Sequence, residues 1–197
     1  MLVPDEPQKP RITSLLSDWR QGKEEARDAL VEAVYPELRK LAAYHLQRET
    51  PNHMLQATAL VHDLYVRVLA NEPLLCNDRT HFFAIAGRQL RRILIDHTRS
   101  AHAVKRGGFF EKVTLTDVVQ QIGPVGEDLL ALDEALNNLE TFDHRAAHVV
   151  ELRFFSGLGD QEIAEVLHIS VATVKRDWDF ARAWLSSQMG PAKPAQS

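Results

Sequence analysis

The sequence predicts an all-α protein: two small helical domains joined by a flexible linker, the C-terminal one containing a helix-turn-helix. Three observations carry this. Apolar residues recur at three- and four-residue spacing in nearly every segment between the proline and glycine breaks, while strand signals are weak. The run KRGGFFEKVTLTDVVQQIGPVGED, 105–128, interrupts that pattern with four glycines and a proline, and is long for a loop inside a compact domain. The segment GDQEIAEVLHISVATVKRDWDFARAWL, from Gly159 to Leu185, reads as two helices joined by a tight turn.

Taken in order, Leu30, Val34, Leu38 and Leu41 place an apolar stripe on a helix between Lys23 and about Arg48, with Pro36 expected to kink or split it near Tyr35. Thr50 to His53 (TPNH) reads as a loop. A second helix, Thr58 to Ala70, carries Leu60, Val61, Leu64, Tyr65 and Val68 on one face and His62, Asp63 and Arg67 on the other. Asn71 to Thr80 is a connection. A third helix, His81 to Arg99, buries Phe82, Phe83, Ala86, Leu90, Ile93 and Leu94; Arg88, Arg92 and Arg99 share its other side, and Arg91 is expected to extend that face. Within the linker, VTLT is equally compatible with a short strand or an extended segment. Beyond it, Leu129 to Asn138, Arg145 to Phe155 and two further helices build the second domain, and GPAKPAQS reads as a disordered tail.

In the two-helix motif, Asp160 is expected to cap the first helix and Ser170 the second. Ile163, Ala164 and Leu167 face inward from the first; Val171, Val174, Trp178, Ala181 and Leu185 form one stripe on the second. Ala172, Thr173, Arg176 and Asp179 then point away, flanked by Lys175 and Arg182. Such a helix inserts its first turns into the major groove, where Lys and Arg bind phosphates and read guanine edges, so Thr173, Lys175 and Arg176 are the candidate readers. Asp179 repels phosphate, but stands three residues from both Arg176 and Arg182 and is placed to orient either. His168 occupies the turn position that commonly holds glycine, and histidine tolerates positive φ.

Composition limits the function classes. With 45% hydrophobic and 25% charged residues in 197, the chain suits a globular protein of one large or two small domains. No apolar run approaches the roughly 18 residues that span a bilayer, and MLVPDEPQKP lacks the basic, apolar and cleavage regions of a secretory signal. A cytoplasmic location without membrane association is expected. The single Cys76 excludes an internal disulfide and a cysteine-based zinc cluster, and reads as a small buried hydrophobe. The net charge of −4 argues against coating nucleic acid by bulk attraction. Charge is unevenly spread, however: Arg88, Arg91, Arg92, Arg99, Lys105 and Arg106 face only Asp96 between 88 and 106. From Leu129 to Ser187, five bases meet ten acids, so the second domain alone should bind DNA weakly and depend on a partner.

Enzyme chemistry finds no support. There is no Gly-rich loop ending in GK[ST] and no GxSxG elbow. His144 and His148 stand four apart on a helix, a metal-compatible spacing, but lack a glutamate or cysteine partner arranged as in HExxH. No catalytic residue, metal or cofactor is expected.

Two segments, in the same order, resemble the extracytoplasmic-function (ECF) sigma factors of the sigma-70 superfamily. LVHDLYVRVL, Leu60 to Leu69, with HFFAIAGRQLRRILIDHTRSAHAVKRGG, His81 to Gly108, resembles domain 2 of that family; Ala135 to Leu185 resembles domain 4. The resemblance implies a non-enzymatic initiation factor that binds bacterial core RNA polymerase and directs it to promoter DNA. It places domain 2 at 1–106, the linker at 107–128, domain 4 at 129–187 and the tail at 188–197. It assigns Leu60, Val61, His62, Asp63, Tyr65 and Arg67 to the clamp of the polymerase's largest subunit. Arg88, Arg91, Arg92, Asp96, His97, Arg99, Lys105 and Arg106 fall to the minus-10 element, and Ser170, Thr173, Lys175, Arg176 and Arg182 to the minus-35 element. It also implies a location with polymerase at the nucleoid, and an anti-sigma factor is a partner of a kind the family uses. Two positions depart from the family pattern: Ile85 stands where many members carry tryptophan, and Arg92 where asparagine is common, so Phe82 or Phe83 come into question for promoter opening, against a core reading of both. The alternative, a stand-alone helix-turn-helix regulator dimerising on a palindrome, leaves the first domain without a role and lacks a visible dimerisation heptad.

Overall fold

A computed structural model describes residues 8–46, 53–69, 76–104 and 129–189. Those residues form eight α-helices and no strand: α1 (Gln8–Arg20), α2 (Glu24–Leu46), α3 (His53–Leu69), α4 (Arg79–Val104), α5 (Leu129–Phe142), α6 (His144–Phe154), α7 (Asp160–Leu167) and α8 (Val171–Met189). The expected linker, residues 50–52 of the TPNH loop, residues 71–75 of the connection and residues 190–197 of the expected tail lie outside the described residues; His53 instead opens α3, and Gln188 and Met189 close α8. The chain divides into two compact units, Met1–Leu90 and Arg91–Ser197, with the division inside α4.

In the first unit, α1 packs on α2 and α2 on α3. Helix α1 precedes the first helix expected from periodicity. Its signal is short: Ile12, Leu16 and Trp19, at spacings of four and three, are at most 6% exposed. Pro10 is tolerated because it stands in the first turn, where its missing N–H leaves no bond unmade. Gly22, at φ +86°, closes the turn into α2 by donating its N–H to the Trp19 carbonyl at 2.9 Å.

Pro36 does not split α2, which runs as one helix through it. Leu30, Val34 and Leu38 are all under 5% exposed, with Ala42 rather than Leu41 continuing the buried line. Burial on both sides of the proline outweighs its cost of roughly 3 kcal/mol. The amino end of α4 joins this unit: the Arg79 N–H donates to Thr13 Oγ1 at 3.3 Å, its guanidinium pairs with Glu37, and it lies 4.6 Å over the Phe83 ring. Phe82 and Phe83 are core, at 0% and 3% exposure. Cys76 is fully buried, as expected, and burial pushes its thiol pKa up to about 11.

The second unit is built on α5, α6 and α8, with α7 packed against α6 and α8. Leu136 and Leu139 of α5, Val149 and Val150 of α6, Phe155, Ile163 and Leu185 are at most 1% exposed. Asp143 caps α6 by accepting the Ala146 N–H at 3.0 Å. Among the described residues, three charged side chains are buried in this core and all are paired, Asp177 by Arg145, and Asp133 and Glu151 by Arg91.

Candidate nucleic-acid interface

Helices α7 and α8 are joined by the three residues His168, Ile169 and Ser170. His168 takes the left-handed conformation, φ 54° and ψ 44°, as expected from its place in the turn. The Ile169 N–H then donates to the Ala164 carbonyl at 3.0 Å, closing α7. Ser170 caps α8: the Thr173 N–H donates to Ser170 Oγ at 3.1 Å, and the two hydroxyls lie 2.9 Å apart. The cap of α7 differs from expectation. It falls on Gly159, whose N–H donates to a Glu162 carboxylate oxygen at 3.0 Å. Asp160 is instead the first helical residue, and its carboxylate pairs with Arg153, whose guanidinium also lies 4.5 Å over the Trp178 ring. Desolvation lowers the Arg153 pKa.

This bracing fixes the rotation of α8. Val174, Trp178, Ala181 and Leu185 face the core, and Ala172, Lys175, Arg176 and Asp179 are exposed. The Arg176 side chain is 73% exposed, with its Nε 4.0 Å from Asp177. Asp179 lies 3.7 Å from Arg182, the second of the two partners its spacing allowed. Ser170 and Thr173 are occupied with the cap.

On α4, Arg88, Arg92, Asp96, His97 and Arg99 are exposed. Arg88, Arg92, Asp96 and Arg99 follow one another at four, four and three residues and so share a face. Arg91 departs from that face. Its side chain is 13% exposed, donates to Asp133 Oδ1 at 2.9 Å and Asn137 Oδ1 at 2.8 Å, and pairs with Glu151 at 3.3 Å. At roughly 100° per residue, positions 88, 99, 92 and 96 span an arc of about 80°, and position 91 falls about 100° from its middle, enough to turn it inward. Arg99 is 65% exposed and lies 3.6 Å from Asp133. Lys105 and Arg106 lie outside the described residues.

Among the α3 residues assigned to polymerase contact, Leu60 and Val61 are core, at 3% and 4% exposure. His62 and Arg67 are exposed, Asp63 is partly so, and the Tyr65 hydroxyl accepts a hydrogen bond from Arg27 at 2.6 Å. Val66, which the sequence reading passed over, is 46% exposed and stands one turn from His62 and Asp63. Its signal was an apolar residue on the polar side of the wheel. A second apolar feature also went unread: Phe142, 70% exposed, stacks on Phe180 and Trp184 with ring centroids at 6.2 and 6.5 Å. Their separation in sequence hid it. Among the described residues, no helix is long and apolar enough to cross a membrane.

Residues 9–190 of the chain match the family model described as ECF sigma factor. A comparison with curated proteins finds no significant match.

Proposed function

Because the chain belongs to the ECF sigma factor family, whose members serve transcription initiation, we propose that it binds core RNA polymerase through α3 and directs it to promoters through α4 and α8. The observation that carries this reading is α8. A capped helix whose rotation is fixed by Val174, Trp178, Ala181 and Leu185 presents Ala172, Lys175 and Arg176 outward from its first two turns. That is the arrangement a major-groove reader needs, with a small residue for close approach and two bases for phosphate and guanine edges. In this reading α8 takes the minus-35 element. The exposed Arg88, Arg92 and Arg99 of α4 take the minus-10 element, and His62, Asp63, Val66 and Arg67 of α3 meet the largest-subunit clamp. The excess of acids over bases in 129–187 supports dependence on polymerase for affinity.

The test is reconstitution. Purified chain is mixed with sigma-free bacterial core polymerase, assayed for co-elution, then used to transcribe a genomic promoter library. Co-elution with new, chain-dependent start sites is the expected result. A footprint made by the chain alone, without binding to core, would establish the stand-alone regulator instead.

A further inference from the structure

The corner between α5 and α6 brings together donors that the promoter-reading role does not use. Glu140 lies in the last turn of α5, His144 opens α6 and His148 follows one turn later. One carboxylate oxygen and one nitrogen from each imidazole all lie within 4.8 Å of one another. His144 Nε2 is 3.8 Å from Glu140 Oε1, and the two imidazole rings sit 4.2 Å apart between centroids, tilted by 54°. The histidines were visible in the sequence as a pair at i, i+4. Their carboxylate partner belongs to the preceding helix, so no HExxH-type spacing announces it.

The backbone that holds these donors is well defined. The Asp143 N–H donates to the Leu139 carbonyl at 2.7 Å, and the Asp143 carboxylate caps α6 through Ala146. The turn between the helices is thus pinned on both sides, and the three donors project from a corner rather than a loop. The amino end of α6 carries partial positive charge, which weighs against a cation there; the Glu140 carboxylate and the carboxyl end of α5 weigh for it.

We propose that Glu140, His144 and His148 form a surface site for a borderline divalent transition ion, best satisfied by zinc. Two imidazole nitrogens and one carboxylate oxygen suit zinc and its neighbours; calcium and magnesium take all-oxygen shells, and copper(I) and iron–sulfur clusters take thiolates. Bonds of about 2.0–2.2 Å put neighbouring donors roughly 3.3–3.5 Å apart in a tetrahedron. Glu140 and His144 are exposed, so rotamer adjustment alone closes the remaining gap. Water takes the fourth position. The ion staples the end of α5 to the start of α6 and stabilises the folded second unit by preferential binding. The site shares no residue with the proposed DNA or polymerase contacts, and it stands or falls independently of them.

The test is calorimetric titration of the full, chelator-treated chain with zinc chloride at pH 7.5 in a non-coordinating buffer. One zinc ion per chain is expected, with no heat from magnesium. His144→Ala and His148→Ala should each weaken binding at least about tenfold with an unchanged helical circular dichroism spectrum. In the unmodified chain, the His144 and His148 imidazole signals should be the first to shift in an NMR titration, a readout that needs no variant. Absence of zinc binding would overturn the proposal. So would binding that survives the His144→Ala/His148→Ala double substitution, or NMR shifts confined to other histidines.

Discussion

Arg145 on α6 and Asp177 on α8 meet as a two-point fork, Nε to Oδ2 at 2.5 Å and Nη2 to Oδ1 at 3.1 Å. Asp177 is 5% exposed, so the carboxylate lies in the core with the guanidinium reaching in from the surface. Its hydrogen bond raises the Arg145 pKa, and the fork ties the helix carrying Lys175 and Arg176 to the body of the unit.

Asp177→Ala should therefore destabilise the second unit by about 1.5–3 kcal/mol, the range for a hydrogen bond to a charged group. Arg145→Lys should recover little of that stability, because an ammonium cannot make the fork. Urea denaturation of the three proteins checks both. Equal stability of Arg145→Lys and the unmodified chain would mean that the planar geometry contributes nothing.

Arg176→Ala should leave folding unchanged, since its side chain is 73% exposed. Promoter-specific transcription should fall by about 1–3 kcal/mol in binding, with specificity relaxed at one minus-35 position. Lys175→Ala should weaken binding evenly across sequences and reduce the salt slope by about 1. Asp63→Lys, on the other unit, should impair co-elution with core polymerase and spare the fold. Loss of core binding by both Arg176→Ala and Asp63→Lys would show that the roles are not divided as proposed.

The arginines of α4 should separate into two classes. Arg91→Ala strips the guanidinium from Asp133 and Glu151, whose side chains are 12% and 10% exposed. Breaking such a buried arrangement should cost about 3 kcal/mol and lower the melting temperature. Arg92→Ala, at an exposed position, should leave the melting temperature unchanged and weaken minus-10 binding measured on holoenzyme. Equal melting temperatures for the two variants would contradict the burial of Arg91.

Cys76 should resist iodoacetamide in the folded chain at pH 8 and react fully in denaturant, because the thiolate is the reactive form and burial disfavours it. Folding raises its pKa from the ordinary 9.0 to about 11, so the folded chain holds this proton longer than the unfolded one. Its contribution is complete below about pH 9 and is lost as pH rises toward 11. Stability of the unmodified chain should decline over that window, and Cys76→Ala should lack that component of the decline.

Local pattern was enough for the all-helical class, for seven of the eight described helices as periodic segments, for the Ser170 cap and for His168 in the left-handed turn. These features depend on residues within one or two turns of each other, and that information is contiguous in the chain. Helix α1 was missed because its three core residues make too short a stripe, and the split allowed at Pro36 does not occur because the burial that holds α2 together comes from neighbouring helices.

What only the tertiary structure decided are the pairings between residues distant in sequence. A helical wheel puts Arg91 near a basic face and Asp177 near a polar one, yet both turn inward, because Asp133, Asn137 and Glu151 wait for the first and Arg145 for the second. In the same way, Glu140 joined His144 and His148 across a helix corner. The amino-acid order set which faces are apolar; whether a charged side chain at the edge of such a face points to water or to a buried partner depends on which helix packs there, and that geometry exists only once the unit has folded.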